Sequence, residues 1–418
     1  MLNQYNFSGF LEYKNGILHI DGIPYTEICS QQPSPTVCTS LDRMRSNVGI
    51  IEEGFKKIEH SIHYALKASY CEPLVTAIKN QGVGAEVISE YEWLLAKKAG
   101  FPTKQIIMNG LGRTAEELIN TINDEAIVNI DSLSELKKLL PFKESFQKNH
   151  KKIGLRIHPN FNGDGNFVKR DGKLGMSYSE ARECMAFARN LGLEVNGFSF
   201  HIFSNQTDPN IYTEPMESLT DFVKTTEQDF RIKCDYVDIG GGVAPRMFFK
   251  DDAALTNFMG TIASLFSKYF PLHTKLLVEP GRYIVADTVV IFSRIKTIKR
   301  NSGGTWAVLD IGTKYLIPAP GSDFKILPCN QGVSSSVKPE LVKFVDGICS
   351  PAGFIGEAML NVEEGQVVAI VNCGAYTSVM KEEFVFGSPR HVYLENGKIV
   401  GIINKTSFEN FAEYHGWK

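Results

Sequence analysis

Lys67 closes the run His63-Tyr64-Ala65-Leu66-Lys67. An amine at the end of an apolar segment can be desolvated. That depresses its pKa and makes it a nucleophile able to form a Schiff base with a carbonyl. A lysine facing solvent at a strand end gives the same sequence. Gly240-Gly241-Gly242 follows Tyr236-Val237-Asp238-Ile239. Residues without Cβ let backbone N–H groups crowd an anion such as a phosphate, and they also make ordinary turns. No Gly-Lys-Ser/Thr follows, so this is not a Walker loop. Glu279-Pro280-Gly281-Arg282 sets a carboxylate beside a guanidinium, as a site or as a structural ion pair. His201, in Phe200-His201-Ile202-Phe203-Ser204, offers a base, a ligand or a flat stacking surface. Cys349, in Asp346-Gly347-Ile348-Cys349-Ser350-Pro351, and Tyr376, in Asn372-Cys373-Gly374-Ala375-Tyr376-Thr377-Ser378, each read singly as packing before chemistry.

Together these residue types have one chemistry in common. A Schiff-base lysine, a phosphate cradle, a carboxylate and a flat imidazole are what pyridoxal phosphate requires. The lysine holds the aldehyde, the carboxylate keeps the ring nitrogen protonated, the glycines take the phosphate and the imidazole covers a ring face.

Such residues must be brought together by a scaffold. Eight short β-rich runs alternate with helical stretches: His63–Leu66, Gly84–Ile88, Gln105–Met108, Ala126–Val128, Lys152–Ile157, Gly197–His201, Tyr236–Ile239 and Lys275–Val278. Tyr91–Ala99 and Thr114–Asn123 are two of the intervening helices. This alternation is the arithmetic of a (β/α)8 TIM barrel, with a doubly wound sheet as its competitor. Lys67, His201, the three glycines and Glu279 then fall at strand ends, where barrels place their chemistry. After Arg282 the texture becomes all-β, with strands expected at Thr288–Phe292, Thr305–Leu309, Gln366–Val371 and Arg390–Leu394. Gly16–Pro24 reads as small strands that join this second domain, and Gln31–Ser40, polar with two prolines, reads as a linker. The expected division is residues 1–40 as N-terminal strands of the β domain, 41–283 as the barrel and 284–418 as the C-terminal β domain.

Composition narrows the class. A chain of 418 residues is too long for one ordinary core. With 43% hydrophobic and 22% charged residues it is of globular type. A net charge of −3 gives no electrostatic case for a nucleic-acid or membrane partner. The 8 cysteines are scattered, which argues against a disulfide framework and a closed zinc site, so no metal is expected. The start lacks a basic and apolar secretory pattern, and no run approaches the ~20 apolar residues of a membrane helix. The expectation is a reduced, cytoplasmic enzyme.

The chain resembles the fold-type III pyridoxal-phosphate decarboxylases: the diaminopimelate, ornithine and arginine decarboxylases. The resemblance runs from about Gly16 to Leu394. It is carried by Tyr64 to Ala68, Gly84 to Val87, Asn109-Gly110, Gly112 to Leu118, Arg156-Ile157, Lys173 to Gly175, the His201 segment, Asp238 to Gly242, Glu279 to Arg282, Cys349 and Gly374 to Tyr376. It implies an alanine-racemase-like barrel plus β domain, with pyridoxal 5'-phosphate as cofactor. By this resemblance Lys67 bonds the cofactor, His201 stacks on its ring and Glu279 pairs with the ring nitrogen. Ser204, Gly241, Gly242, Gly281, Arg282 and Tyr376 match phosphate contacts. Glu86 is the acid near the lysine, and Arg156 is the basic residue ordering the cofactor side. Cys349 matches the cysteine that a homodimer delivers across its interface to protonate the carbanion, a task for a thiol rather than a thiolate.

Departures bear on substrate. Diaminopimelate enzymes carry a Cys-Glu-Ser-x-Asp type segment, where this chain has Cys349-Ser350-Pro351-Ala352-Gly353. They also carry an arginine shortly after an Asp-x-Gly turn, where Asp310-Ile311-Gly312 leads here to Thr313-Lys314-Tyr315-Leu316-Ile317-Pro318. Lys314 could serve an anion or be solvated. The Cys349-Ser350-Pro351 segment and Phe200-His201-Ile202-Phe203-Ser204-Asn205 resemble a sub-branch of siderophore and antibiotic biosynthesis, whose enzymes decarboxylate amino acids already acylated at the distal end, for example with citrate, or loaded on a carrier protein. A diaminopimelate or ornithine decarboxylase proper is the alternative. A racemase on the same barrel fits less well, since Glu279 favours a full electron sink. A non-catalytic relative fits less well because Lys67 and Cys349 are both present.

Overall fold

The computed structural model describes residues 4–30, 34–149, 151–161, 172–316, 322–331 and 338–417. The chain divides into two compact units. One comprises Val48–Ala244 and Asp251–Tyr283, and the other Met1–Asn47, Pro245–Lys250 and Ile284–Lys418.

The second unit opens with a small antiparallel sheet of β1 (Leu11–Lys14), β2 (Ile17–Ile20) and β3 (Ile23–Pro24). Next comes β4 (Thr36–Ser40), which corrects the expected linker over Gln31–Ser40. Residues 31–33 of that segment lie outside the described residues. Every residue of β4 is buried. It pairs antiparallel with a later strand, Cys38 opposite Val290, and parallel with another, Cys38 opposite Val392. Val37 faces one apolar cluster and Cys38 another. A strand covered on both faces needs no polar/apolar alternation, so its threonines and nearby prolines imitate a loop.

The other unit is the barrel. Its strands are β5 (His60–Ala65), β6 (Gly84–Val87), β7 (Ile106–Met108), β8 (Ile127–Ile130), β9 (Lys152–Arg156), β10 (Glu194–Ser199), β11 (Tyr236–Asp238) and β12 (Lys275–Val278). All pair in parallel in sequence order, and β12 closes on β5. Several of the helices between them begin at side-chain caps. Ser89, Thr114 and Ser177 each accept an N–H from the first turn, and Thr114 and Ser177 complete reciprocal boxes with Glu117 and Glu180. The (β/α)8 expectation holds in all eight strands, displaced by a few residues at their ends. The first run ends at Ala65 because Leu66–Ala68 turns into a short 3-10 segment.

The remaining strands belong to the second unit: β13 (Val289–Asn301), β14 (Gly304–Leu309), β15 (Lys325–Pro328), β16 (Glu340–Val345), β17 (Phe354–Leu360), β18 (Val367–Val371), β19 (Arg390–Glu395) and β20 (Lys398–Ile403). The sheet order is β17-β16-β14-β13-β4-β19-β20, with β18 bridging β13 and β15. β13 is long enough to serve twice. Its first half pairs with β4 and β18, and its second half with β14. Among the described residues no helix is long and apolar enough to cross a membrane.

Candidate active site

The barrel gathers its polar side chains at one end. Lys67 sits on the 3-10 turn after β5, Glu86 in β6 and Asn109 directly after β7. Asn129 lies in β8, Arg156 ends β9, His201 follows β10, Asp238 ends β11 and Glu279 follows β12. This is the C-terminal rim of the strands.

Lys67 Nζ donates to Glu86 Oε2. The lysine side chain is one-third exposed and the glutamate buried. The other oxygen of Glu86 accepts Asn109 Nδ2 at 3.2 Å, and the same amide donates to Glu279 Oε1 at 2.6 Å. Burial, then the charges of Asp238 and Glu86, push the Glu279 carboxyl well above the usual carboxylate range. Burial pushes Asp238 up to about 6, while its Oδ1 accepts the Gly240 N–H at 2.8 Å. A buried carboxylate that attracts a proton is suited to share one with a ring nitrogen.

His201 is held neutral. Burial, then the charges of Arg156 and Lys67, push its pKa down to about 3. Its Nδ1 lies 3.1 Å from the Gly241 N–H and accepts it, which assigns the ring proton to Nε2. Arg156 lies 3.8 Å from Asp131, whose carboxylate also receives the Gly175 N–H at 3.0 Å. Burial pushes Asp131 up to about 6.

The glycine loop has no room for side chains. A Cβ on Gly240 would come within 2.6 Å of the His201 ring, one on Gly241 within 2.5 Å of the Glu279 carbonyl and one on Gly242 within 2.7 Å of the Phe203 carbonyl. Gly240 and Gly242 also have φ of +69° and +116°, where L side chains are strained. At Gly281 a Cβ would crowd Ala65 and Ala68 at 3.1 Å. Ser204 and Arg282 lie in the same unit as these glycines. A primary amine, a buried carboxylate, a neutral imidazole and a glycine cradle fit pyridoxal phosphate in donor set.

Cys349 and Tyr376 belong to the other unit. Cys349 is exposed, on a loop closed by the Asp346 N–H to Gly353 carbonyl bond at 2.9 Å. The Asp346 carboxylate accepts the Thr313 N–H at 2.8 Å, the Thr313 hydroxyl and the Ile348 N–H at 3.1 Å. It fills the space where a Cβ on Gly353 would stand. Tyr376 has φ of +61°, an uncommon conformation for a tyrosine. Lys314 pairs with Glu382 at 3.1 Å, so its charge already has a partner. Ile317 and Pro318 lie outside the described residues.

Asn109, Asn129, Tyr236, Asp131 and Asp346 were not singled out by type and spacing. Asn109 reads as half of an Asn-Gly turn. The available signal is Asn129 inside the apolar run Ile127-Val128-Asn129-Ile130, since asparagine is depleted in strands unless its amide is satisfied.

A parallel barrel with a lysine, paired carboxylates and a glycine cradle at its rim defines a pyridoxal-phosphate enzyme of the barrel type. The chain belongs to the pyridoxal-dependent decarboxylases: residues 41–286 match the family's pyridoxal binding domain. It is 26% identical to a diaminopimelate decarboxylase of Aquifex aeolicus, over 99% of this chain and 98% of that one. It is 28% identical to a diaminopimelate decarboxylase of Archaeoglobus fulgidus, over 90% and 91% of the two chains. The crystal structure of the diaminopimelate decarboxylase of M. jannaschii superposes with a TM-score of 0.86 at 25% identity, covering 99% of this chain and 98% of that one.

Proposed function

We propose that the chain removes CO2 from the α-carbon of an amino acid with a polar distal end, as a homodimer. The observation that carries this reading is the Lys67–Glu86–Asn109–Glu279 cluster at the barrel rim. In this reading Lys67 holds the cofactor by its aldehyde and Glu279 faces the ring nitrogen. Ser204, Gly241, Gly242, Gly281, Arg282 and Tyr376 surround the phosphate. Bound there, pyridoxal phosphate supplies the electron sink for breaking the bond to the carboxylate. Neutral His201 covers a ring face without adding charge, and the Gly241 N–H keeps its imidazole from turning. Glu86 takes up and returns the proton of the Lys67 amine. Arg156 orders the cofactor side of the pocket. A second copy of the chain presents Cys349, whose thiol returns a proton to the α-carbon after CO2 has left.

The names of the full-length relatives make meso-diaminopimelate the leading substrate. A second reading is favoured by the Cys349 loop. Position 353, where the resembling enzymes carry an acid, is a glycine pressed against Asp346, and the Asp346 oxygens are occupied by Thr313 and Ile348. A free distal ammonium would find no added acid there, whereas an acylated end such as a citryl amide has no ammonium to pair and would be repelled by such an acid. The test is CO2 release from meso-diaminopimelate, ornithine, lysine and citryl-ornithine. Fastest turnover of meso-diaminopimelate supports the leading reading, and fastest turnover of citryl-ornithine supports the second. Lys67→Ala should abolish the visible band that the wild type forms with pyridoxal phosphate. That band without CO2 from any amino acid would remove decarboxylation.

A further inference from the structure

The rim cluster continues down into the barrel. Asn109 Oδ1 accepts Asn129 Nδ2 at 3.0 Å, and Asn129 Oδ1 accepts the Tyr236 hydroxyl at 2.9 Å. The string therefore runs Tyr236, Asn129, Asn109, and ends on Glu86 and Glu279. All five residues are buried. The barrel is shaped around it. On the neighbouring strands β9 and β10, a Cβ on either Gly154 or Gly197 would overlap the Tyr236 side chain. The Asn129 backbone is pinned as well, because Arg113 donates to its carbonyl at 2.6 Å while bound bidentately to Glu135 at 2.7 Å.

Such a string has a direction. In the observed setting each amide points its oxygen toward Tyr236 and its N–H groups toward the carboxylates. Both hydrogens of the Asn109 amide are then spent on Glu86 and Glu279. The reversed setting would turn the Asn109 oxygen onto two carboxylate oxygens, which is repulsive unless both are protonated. It would also take the Asn129 oxygen away from the Tyr236 hydroxyl.

We propose that Asn109, oriented by Asn129 and Tyr236, is a positioning residue that aims Glu279 at the cofactor ring and biases it toward its ionised form, while tying it to the Glu86–Lys67 pair. The inference rests on the decarboxylase reading of the site. The charged and titratable groups facing Glu279 are Asp238 of β11, Glu86 of β6, Lys67 after β5 and Tyr236 of β11. Two of them, together with burial, favour its neutral form. Lys67 and the Asn109 donor oppose them.

The experiment uses the enzyme loaded with pyridoxal phosphate and reads the acid-side pH midpoint of its visible band. Asn109→Ala should move that midpoint upward by about one pH unit, a tenfold change in the acid equilibrium. Tyr236→Phe keeps the ring against Gly154 and Gly197 but removes the terminal donor, and should move it the same way by less. Midpoints unchanged in both folded variants would overturn the proposal, whatever happens to kcat. If Asn109→Ala does not fold, Tyr236→Phe alone decides, an unmoved midpoint being the negative result. Failure of the underlying reading looks different, because the wild type itself would then form no visible band.

Discussion

At the scale of single residues, the site is a set of exchanges between burial and partnership. Burial acts on Glu279 and His201 in opposite senses: the acid gains affinity for a proton and the base loses it. The reacting types were legible, because a lysine, a glycine triplet, a histidine and a Glu-Pro-Gly-Arg corner each leave a mark in the sequence. Their supports were not. Asn109 and Asn129 matter through the direction of their amides, which depends on what lies across a closed barrel. Asp346 likewise gains meaning only from Gly353. The contact carries a prediction. Gly353→Asp should destabilise the protein by about 1–3 kcal/mol in urea unfolding, because a pinned carboxylate occupies the space. Combined with Asp346→Ala, the total cost should fall short of the sum of the single costs by about 1 kcal/mol or more. Strict additivity would show that the two positions do not compete.

At the scale of elements, the barrel strands were readable because each is short, carries at least one β-branched residue and alternates with helical segments. The helix expected over Thr114–Asn123 begins as the sequence suggests, with Thr114 itself as the cap. Its hydroxyl accepts the Glu117 N–H at 3.1 Å, and Glu117 returns a bond to the Thr114 N–H at 2.6 Å. Thr114→Ala should cost about 1 kcal/mol, roughly 2–4 °C in melting temperature, and Thr114→Ser should restore most of it. An unchanged melting temperature would show that the box contributes nothing in this fold. The β unit was less readable. β16, β17 and β20 are apolar in sequence but leave Leu341, Phe354, Met359, Val400, Ile402 and Ile403 exposed, so apolar residues do not mark a buried face there. β4 failed for the opposite reason, being buried on both faces.

At the scale of the whole molecule, several buried histidines tie stability to pH. Burial pushes His63 down to about 4, and His201 and His391 to about 3. Each is neutral when folded and takes up a proton below about 6.5 when unfolded. The unfolded state therefore binds more protons between the two values, and stability falls as pH drops through that window. His63→Asn retains a donor for the Gln105 carbonyl, which His63 Nδ1 meets at 3.1 Å. Between about pH 7 and pH 5, the variant should lose about 1–2 kcal/mol less unfolding free energy than the wild type. Asp21 and Asp131, both raised to about 6 by burial, act in the opposite sense in both proteins and cancel in the comparison. Parallel acid limbs would remove His63 from the account.

The order of the chain also sets a timetable. β4 leaves the ribosome early, yet its partners, Val289–Phe292 of β13 and Arg390–Leu394 of β19, are made only after the whole barrel. At roughly 5–20 residues per second, the ~250 residues up to β13 take on the order of 10–50 s to synthesise. Throughout that interval β4 has two open edges in a crowded cell. Pro35, directly before the strand, has no N–H to offer a neighbouring edge, and five residues is a short edge, so it is a poor seed for pairing with other nascent chains. The proline and the shortness that disguise the strand as a linker are thus what allow it to wait.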